Sequence, residues 1–347
     1  MPPVWVIATR GLLLCAAPAL AQATFVLKED FGSPADFLDK FDFFTEPDPT
    51  HGFVEYVDKA TAETTGLVTT NNDFVYMGVD STTMAPKDGR RSVRVTSKGV
   101  YNHGLVIIDL THMPGNACGS WPAFWMVGPD WPAGGEIDII EGVSLLDYNA
   151  VALHTTTGCT IDDSGFTGDI QTTNCYYRAP EQASNVGCGI KIPSPQSFGD
   201  GFNNAGGGVY ATEWTSTGFK TWFFNRDAVP ADITAGNPDP LSWPVPDAAF
   251  AGDCNFERHF WDMQIVFDTT FCGDWAGNPD VWANSGNCAS LAPTCQEYVA
   301  NNPAAFEQSY WEVVSLKVYE DSNSTQTVAG GAFPSAPRSR VMRRLSA

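Results

Sequence analysis

Three acidic side chains lie close together in one short apolar segment, Gly135-Glu136-Ile137-Asp138-Ile139-Ile140-Glu141-Gly142. Its isoleucine content favours a β-strand. Side chains two positions apart on a strand share a face, so Glu136 and Asp138 should point in the same direction. Strict alternation would place Glu141, five positions after Glu136, on the opposite face. We therefore predict a one-residue β-bulge near Ile139-Ile140, which would bring all three acids onto one surface.

Three neighbouring carboxyl groups repel one another, so a purely structural protein has little reason to collect them. Repulsion keeps one of them protonated near neutral pH, which places a proton donor beside a nucleophile. Retaining glycosidases use such a pair, with one carboxyl group as the nucleophile and the other as acid and then base. Asp138, between the two glutamates, would orient the nucleophile by hydrogen bonding. The alternatives are a solvated acidic strand face and a calcium site.

Three tryptophans precede this segment, Trp121, Trp125 and Trp131. Flat indole rings stack well on the apolar faces of sugar rings, which favours a sugar-binding cleft beside the acids. His154 lies near the end of the next predicted strand, within reach of the carboxyl groups. For each of these four residues, a structural role is the alternative.

The overall charge restricts the class of ligand. Among 347 residues there are 40 acidic and 19 basic side chains, which gives a formal net charge of -21. Such a negative surface opposes binding to nucleic acid or to an anionic membrane. A neutral ligand fits this composition better.

The first residues carry an apolar run over positions 11–17, followed by Ala19-Leu20-Ala21, which has the small-x-small pattern of a signal peptidase site. We expect residues 1–21 to be a secretory signal and the protein to be extracellular. A membrane anchor is the alternative, but the run is shorter than the roughly 20 residues that cross a bilayer. No later segment is long enough, so no membrane association is expected.

Removal of residues 1–21 would leave eight cysteines, an even number that predicts four disulfides in an oxidising compartment. The sequence does not select their pairing. A zinc site is the alternative, but no two cysteines have CxxC spacing and no histidine lies suitably near them. The eight are Cys118, Cys159, Cys175, Cys188, Cys254, Cys272, Cys288 and Cys295.

Short β-prone runs and abundant glycine predict an all-β protein. No linker or repeat divides these runs, so a single sandwich over residues 22–321 is simpler than two domains. We expect the disulfides to staple the long loops between strands. Residues 322–347 include four arginines without periodicity and are expected to be a disordered basic tail. The predicted strands are residues 92–96, 104–110, 123–128, 136–143, 149–155, 209–215, 219–225, 263–267 and 311–319, and 209–225 forms a hairpin.

Two runs of the sequence together resemble a known active-site signature. They are Trp121-Pro122-Ala123-Phe124-Trp125 and residues 135–143, Gly-Glu-Ile-Asp-Ile-Ile-Glu-Gly-Val. The pair resembles the signature of glycoside hydrolase family 16, laminarinase type. Further similarity to fungal members extends the resemblance over roughly residues 30–320. The additional segments are residues 48–54, 118–120, 206–211 and 270–277.

The resemblance implies a β-jelly-roll sandwich of two curved antiparallel sheets with a concave substrate cleft. It also implies retaining endo-hydrolysis of β-1,3-glucan or mixed-linked β-1,3/1,4-glucan. By its motif, Glu136 is the nucleophile, Glu141 the acid/base, and Asp138 the residue that assists the nucleophile. Some relatives have one residue fewer between the acids, so the spacing here agrees with the bulged form of the strand.

The resemblance also bears on ligands and partners. We expect β-glucan as the partner, no cofactor and a monomer, and a structural calcium site stays open. Two alternatives share the scaffold: a cell-wall glucan transglycosylase and a non-catalytic β-glucan-binding lectin. The presence of both glutamates disfavours the lectin. The implied or candidate substrate contacts are Trp131, His154, Arg94, Trp275, Trp125 and Trp121.

Overall fold

The computed structural model of the protein describes residues 25–322, apart from Ser33 and Asn72. The predicted secretory signal at residues 1–21 lies outside the described residues, as does all of the predicted tail except Ser322. These two segments and the domain limits at residues 22 and 321 stay predictions. The described residues contain no helix that is long and apolar enough to cross a membrane.

Strands dominate the described chain, as the composition predicts. In chain order they are β1 Phe25–Asp30, β2 Phe41–Phe43, β3 Val54–Tyr56, β4 Val68–Thr70, β5 Val75–Gly78, β6 Arg90–Ser92, β7 Arg94–Ser97, β8 Gly104–His112, β9 Ser120–Val127, β10 Glu136–Glu141, β11 Asn149–His154, β12 Asp169–Thr172, β13 Cys188–Ile192, β14 Gly208–Thr215, β15 Gly218–Asn225, β16 Ala248–Phe250, β17 Gln264–Phe271 and β18 Tyr310–Asp321. The helices are short: α1 Pro34–Phe37, α2 Lys59–Thr65, α3 Gly199–Asn204, α4 Ala231–Thr234, α5 Phe256–His259, α6 Gly273–Ala276, α7 Pro279–Asn284, α8 Cys288–Leu291 and α9 Cys295–Asn301.

Two eight-stranded antiparallel sheets form a sandwich. The first, here called the cleft sheet, has the order β12-β13-β11-β10-β9-β17-β7-β2. The second, the back sheet, has the order β16-β15-β14-β8-β18-β5-β4, and β1 also pairs with β18. Strands β3 and β6 form a separate parallel pair. The predicted jelly-roll sandwich is confirmed.

The inner faces of both sheets share one hydrophobic core. Ile137 and Phe124 of the cleft sheet are fully buried in it, as are Ile108 and Leu316 of the back sheet. Removal of this apolar surface from water drives the two sheets together. Because side chains alternate along a strand, the neighbours of Ile137 and Phe124 face outward from the cleft sheet.

The structure splits one predicted strand and moves the ends of the others by one to four residues, most of all for the strand predicted at residues 263–267. Residues 92–96 were predicted as one strand, but β6 ends at Ser92 and β7 begins at Arg94. The chain changes partners there, because Ser92 pairs with β3 while Arg94 pairs with β17. The strand predicted at residues 263–267 continues to Phe271, since β9 offers pairing partners along its whole length. The predicted hairpin is confirmed, with β14 paired to β15 along all eight residues.

All eight described cysteines form disulfides, as predicted. Cys175–Cys188 and Cys159–Cys254 hold the long segment between β11 and β13, which contains β12. Cys118–Cys288 and Cys272–Cys295 hold the helical segment after β17, which packs around a second apolar cluster. The disulfides therefore staple the two segments that flank the outer face of β10.

Candidate active site

The predicted bulge lies in β10. Asp138 pairs with Trp125 of β9, whereas Ile140 pairs with the adjacent Phe124. Ile139 is therefore an extra residue in β10 with no counterpart in β9. The bulge prediction is confirmed at this position.

The bulge places the three acids on the outer face of the cleft sheet. Glu136 pairs with Val127 and Glu141 pairs with Ala123, at equal distances along β9 on either side of Trp125. These three β9 residues alternate with core residues, so they face outward. The acids opposite them face outward too. The extra residue corrects the five-position spacing that would otherwise have separated Glu141 from Glu136.

Burial raises the pKa of all three carboxyl groups to about 8. The side chain of Asp138 is 3% exposed and that of Glu136 is 16% exposed. After burial, the neighbouring charge of Asp138 is the largest influence that raises the pKa of both Glu136 and Glu141. The cluster therefore binds protons at neutral pH. It can donate one to a substrate while another carboxyl group is ionised.

His154 is the basic side chain next to these acids. It pairs with Glu136 in the β10–β11 register, and its Nε2 lies 3.3 Å from Asp138 Oδ2 and 3.8 Å from Glu136 Oε1. Burial raises the pKa of Glu136, and the charge of His154 opposes that shift. The imidazole thus bridges two of the acids and favours the ionised form of Glu136.

Glu136, Asp138 and His154 also have potential metal-ligand atoms within 4.8 Å of one another. Within the described residues, no other group of three His, Cys, Asp or Glu side chains comes together in this way. Calcium takes oxygen ligands, whereas this set includes an imidazole nitrogen. The set therefore does not match the structural calcium site that the sequence leaves open, and the expected lack of a cofactor stays a prediction.

Two tryptophans lie beside Glu141. Trp121 Nε1 donates a hydrogen bond of 2.8 Å to Glu141 Oε1. The ring of Trp121 meets that of Trp275 edge-on, with 5.7 Å between centroids. Trp275 lies on α6, which follows Cys272 of a disulfide. Three residues that the sequence analysis singled out separately are thus in contact.

Asp268 is a candidate that the sequence analysis missed. It lies on β17, paired with Ala123 and Arg94, on the same outer face. Burial raises its pKa to about 7, and the positive charge of Arg94 opposes the shift. Asp268 in turn raises the pKa of Asp138, though less than burial does. Continuing the alternation of the predicted strand 263–267 by one residue would have placed Asp268 on the face opposite the buried Phe267, although not beside the other acids.

Arg94 is enclosed by side chains on this face. Its Nη1 lies 3.7 Å from Asp268 Oδ2 and 3.9 Å from Asp48 Oδ1. The guanidinium carbon lies 5.0 Å from the ring centre of Trp125 and 4.8 Å from that of Phe44. These contacts hold Trp125 and Asp268 in place. The predicted contact of Arg94 with substrate stays a prediction.

Trp131 lies on the loop between β9 and β10 and is 40% exposed. Its neighbour is not an acid but Tyr177, whose ring it meets edge-on at 5.0 Å. The guanidinium of Arg178 lies 4.8 Å from the Tyr177 ring centre. Tyr177 was not predicted from the sequence, although the two adjacent tyrosines of the run Tyr176-Tyr177-Arg178, next to a cysteine, could have indicated an aromatic site there. This pair, in which Trp131 is the exposed member, stands near the Glu136 end of β10, opposite the Trp121–Trp275 end.

The sequence as a whole is similar to known enzymes. Residues 41–319 match the family model described as the XgeA-like catalytic domain of glycoside hydrolase family 16. An endo-1,3(4)-beta-glucanase of Arthroderma benhamiae is 45% identical over 320 residues, which are 91% of this chain and 69% of the relative. The chain spans about half the length of several other fungal relatives.

Solved structures of family 16 enzymes are also similar to this chain. Laminarinase 16A of Phanerochaete chrysosporium, with 6-O-glucosyl-laminaritriose in its donor and acceptor sites, is 39% identical with a TM-score of 0.81. The match covers 86% of this chain and 100% of that one. An elongating family 16 β-1,3-glucosyltransferase is 44% identical with a TM-score of 0.78, over 85% of this chain and 100% of the other. With the family match over residues 41–319, the two-sheet fold and the acids of the signature on one face, this chain belongs to glycoside hydrolase family 16.

Proposed function

We propose that this protein is a secreted, monomeric endo-1,3(4)-β-glucanase that cleaves β-1,3-glucan or mixed-linked β-1,3/1,4-glucan with retention. The observation that carries the proposal is the bulge at Ile139, which gives Glu136, Asp138 and Glu141 one outward face. The Arthroderma benhamiae relative, 45% identical, is named for this activity. The assignment of Glu136 as the nucleophile and Glu141 as the acid/base follows the family motif.

In the first step, Glu141 donates its proton to the glycosidic oxygen while the Glu136 carboxylate attacks the anomeric carbon. The glycosidic bond breaks, the shortened chain leaves as an alcohol, and a glycosyl ester forms on Glu136. In the second step, the Glu141 carboxylate takes a proton from water, which attacks the anomeric carbon and releases Glu136. Two inversions at one carbon retain its configuration.

The neighbours of the two glutamates support this division of roles. Asp138 and His154 adjoin Glu136, where a protonated Asp138 and the imidazole favour the ionised nucleophile. Burial raises the pKa of Glu141 to about 8, which suits a proton donor at neutral pH. The hydrogen bond from Trp121 opposes that shift and favours the carboxylate that takes a proton from water in the second step. We assign Asp138 to assisting the nucleophile.

Aromatic groups at both ends of β10 suit a glucan chain. Trp121 and Trp275 lie at the Glu141 end, and the exposed Trp131 lies near the Glu136 end. Indole faces stack on pyranose rings, so we assign these residues, with Trp125, to substrate binding. The four disulfides favour an oxidising compartment, which supports secretion.

The assignment is tested by Glu136→Gln. An amide cannot form the glycosyl ester, so kcat on laminarin should fall by on the order of 10⁴-fold or more. Glu213→Gln, which changes a buried acid on the back sheet, is the matched control and should leave kcat close to that of the parent. Near-normal hydrolysis by the Glu136 variant would refute the nucleophile. Products from laminarin, lichenan and a branched β-1,3/1,6-glucan, analysed side by side, define the linkage that is cleaved.

A second candidate is glucan transglycosylation. The elongating β-1,3-glucosyltransferase, at 44% identity, favours it. The glycosyl ester on Glu136 would form in the same way, but a sugar hydroxyl would replace water as the acceptor. Product lengths over time separate the two activities, because a hydrolase yields only shorter chains while a transferase also yields longer ones.

A further inference from the structure

Asn149, the first residue of β11, contacts the bulge from the side opposite β9. Its Oδ1 accepts a hydrogen bond of 2.9 Å from the backbone N–H of Glu141. Its Nδ2 donates a hydrogen bond of 2.8 Å to the carbonyl oxygen of Ile139. Asn149 is fully buried. One side-chain amide thus binds the extra residue of the bulge and the proposed acid/base at the same time.

These two backbone groups have no strand partner on that side. Register pairing between β10 and β11 covers Glu136 to Asp138 and stops there. A buried N–H or C=O without a partner is destabilising, so the bulge needs a replacement for the lost strand contacts. The Asn149 amide, with one donor and one acceptor in a plane, replaces them.

Asn149 is itself held in place. Its backbone N–H donates a hydrogen bond of 3.0 Å to Ser197 Oγ, and Ser197 is fully buried. The Ser197 hydroxyl lies 2.6 Å from the carbonyl oxygen of Ser194 and can donate to it. Asn149 also pairs with Ile192 of β13. The contacts with Ser197 and Ile192 therefore fix the position of Asn149 independently of β10.

From this geometry we propose that Asn149 is a positioning residue for the acid/base: it holds the bulge in the register that aims Glu141 at the glycosidic oxygen. The inference rests on the proposed function. A bulge that relaxed by one residue would turn Glu141 toward the core, because alternation reverses with each position. Neither Leu nor ionised Asp can replace the amide, because Leu makes neither bond and a carboxylate cannot donate to Ile139.

The chain offers a matched control for the test. Asn203 on α3 makes the same pair of bonds to one backbone site, with Nδ2 donating to Met113 O at 2.9 Å and Oδ1 accepting from Met113 N at 3.0 Å. Met113 follows β8 of the back sheet, so these bonds do not involve β10. Asn149→Leu and Asn203→Leu therefore remove equivalent bonds, but only the first touches the bulge.

We expect Asn149→Leu to lower kcat on laminarin by about 100-fold, the effect of a misplacement of about 1 Å, with KM within about 3-fold of the parent. Asn203→Leu should lower the Tm while kcat stays near that of the parent. On an aryl β-laminarioligosaccharide with a dinitrophenyl leaving group, whose departure needs no proton, Asn149→Leu should regain most of its kcat/KM, which reports formation of the glycosyl ester. Its kcat should recover only when azide replaces the water that Glu141 activates. Equal kcat on laminarin for the two variants, or an equal loss of kcat/KM on both substrates, would overturn the inference.

Asn149→Asp keeps the test decisive where the Leu variant does not fold. A neutral carboxylic acid at this position can donate to Ile139 and accept from Glu141, whereas the ionised form cannot donate. The kcat of this variant relative to the parent should therefore rise as the pH falls, and a ratio independent of pH would contradict the inference. Glu136→Gln separates the two proposals: an active Glu136 variant refutes the proposed function. An inactive one, together with a normal Asn149 variant, refutes only the positioning role.

Discussion

The two sheets of the sandwich both carry acids on their outer faces, but the ion-pair partners of these acids differ between the sheets. On the back sheet, Glu213 is 9% exposed, and Lys220 on the adjacent strand lies 3.0 Å from it. Asp109 on the same sheet lies 2.6 Å from Arg226. On the cleft sheet, the ion-pair partner that the described structure provides for Glu136 and Asp138 is His154.

The covering of the two faces differs as well. The outer face of the back sheet around Trp222 lies under Trp243, which packs edge-on against it at 5.1 Å. Trp243 also donates to Asp232 and is only 8% exposed. On the cleft side, Trp131 is 40% exposed. A protein surface that gathers buried acids with raised pKa values around one histidine, and leaves a tryptophan on the same side uncovered, is typical of a site that a ligand completes.

Beyond Glu136→Gln, the largest expected effect is that of Glu141→Ala compared with Glu213→Ala. Loss of the proton donor should lower kcat on laminarin by about 10²–10⁴-fold, with a smaller loss on substrates whose leaving groups need no proton. Azide should restore turnover of such substrates by attacking the glycosyl ester in place of activated water, and should yield a glycosyl azide. Glu213→Ala removes only an ion pair and should change the Tm rather than kcat. Lack of azide rescue would point to another acid.

A smaller effect is expected for the two tryptophans. Trp131→Ala should raise KM for laminarin by about 10-fold, because a ring stacked on a sugar contributes about 1.4 kcal/mol. Its Tm should stay close to that of the parent, since the side chain is exposed. Trp243→Ala should do the reverse, with unchanged KM and a Tm lowered by the loss of about 3–5 kcal/mol of packing. Equal KM values for the two variants would exclude substrate stacking on Trp131.

The smallest expected effect is a change in how the stability of the protein depends on pH when Asp268 is replaced. The pKa of Asp268 rises from 3.8 to about 7 on folding, mainly through burial. The folded state therefore holds a proton that the unfolded state releases, so this contribution to stability is complete below about pH 4 and is lost as the pH rises through about 7. Asp268→Asn cannot ionise. Its Tm relative to the parent should increase from pH 4 to pH 7 and then level off.

Glu213→Gln is again the control for that series. It breaks the ion pair with Lys220, so no gain in Tm with rising pH is expected from it. Parallel Tm curves for the parent and the Asp268 variant over this pH range would show that burial does not keep Asp268 protonated.

Much of the fold and the site could be predicted from the sequence where one strand carries the signal. The five-position spacing of Glu136 and Glu141 predicted the bulge, since alternation is a local property of the backbone. His154 was expected within reach of the acids because it lies near the end of the next predicted strand, and it is confirmed as their neighbour. The disulfide count followed from the number of cysteines.

Other parts of the site depend on partners that are remote in sequence. Asp268 was missed because the length of β17 is set by its pairing with β9, which lies more than a hundred positions earlier. The split at Val93 has the same cause, because the chain exchanges one partner strand for another there. Tyr177 joins Trp131 only through a loop that two disulfides hold.

The sequence by itself determined the acid motif and its five-position spacing, which conflicts with strict alternation. It therefore also determined the need for a bulge, because the geometry of a single strand follows from residue order. Only the tertiary structure decided which residue stabilises that bulge and how strongly the acids hold protons. Those properties depend on burial and on atoms brought together across strands: Asn149 against Ile139 and Glu141, and Asp268 near Asp138. Hydrogen bonding and desolvation act through space, and the order of residues along one strand does not specify them.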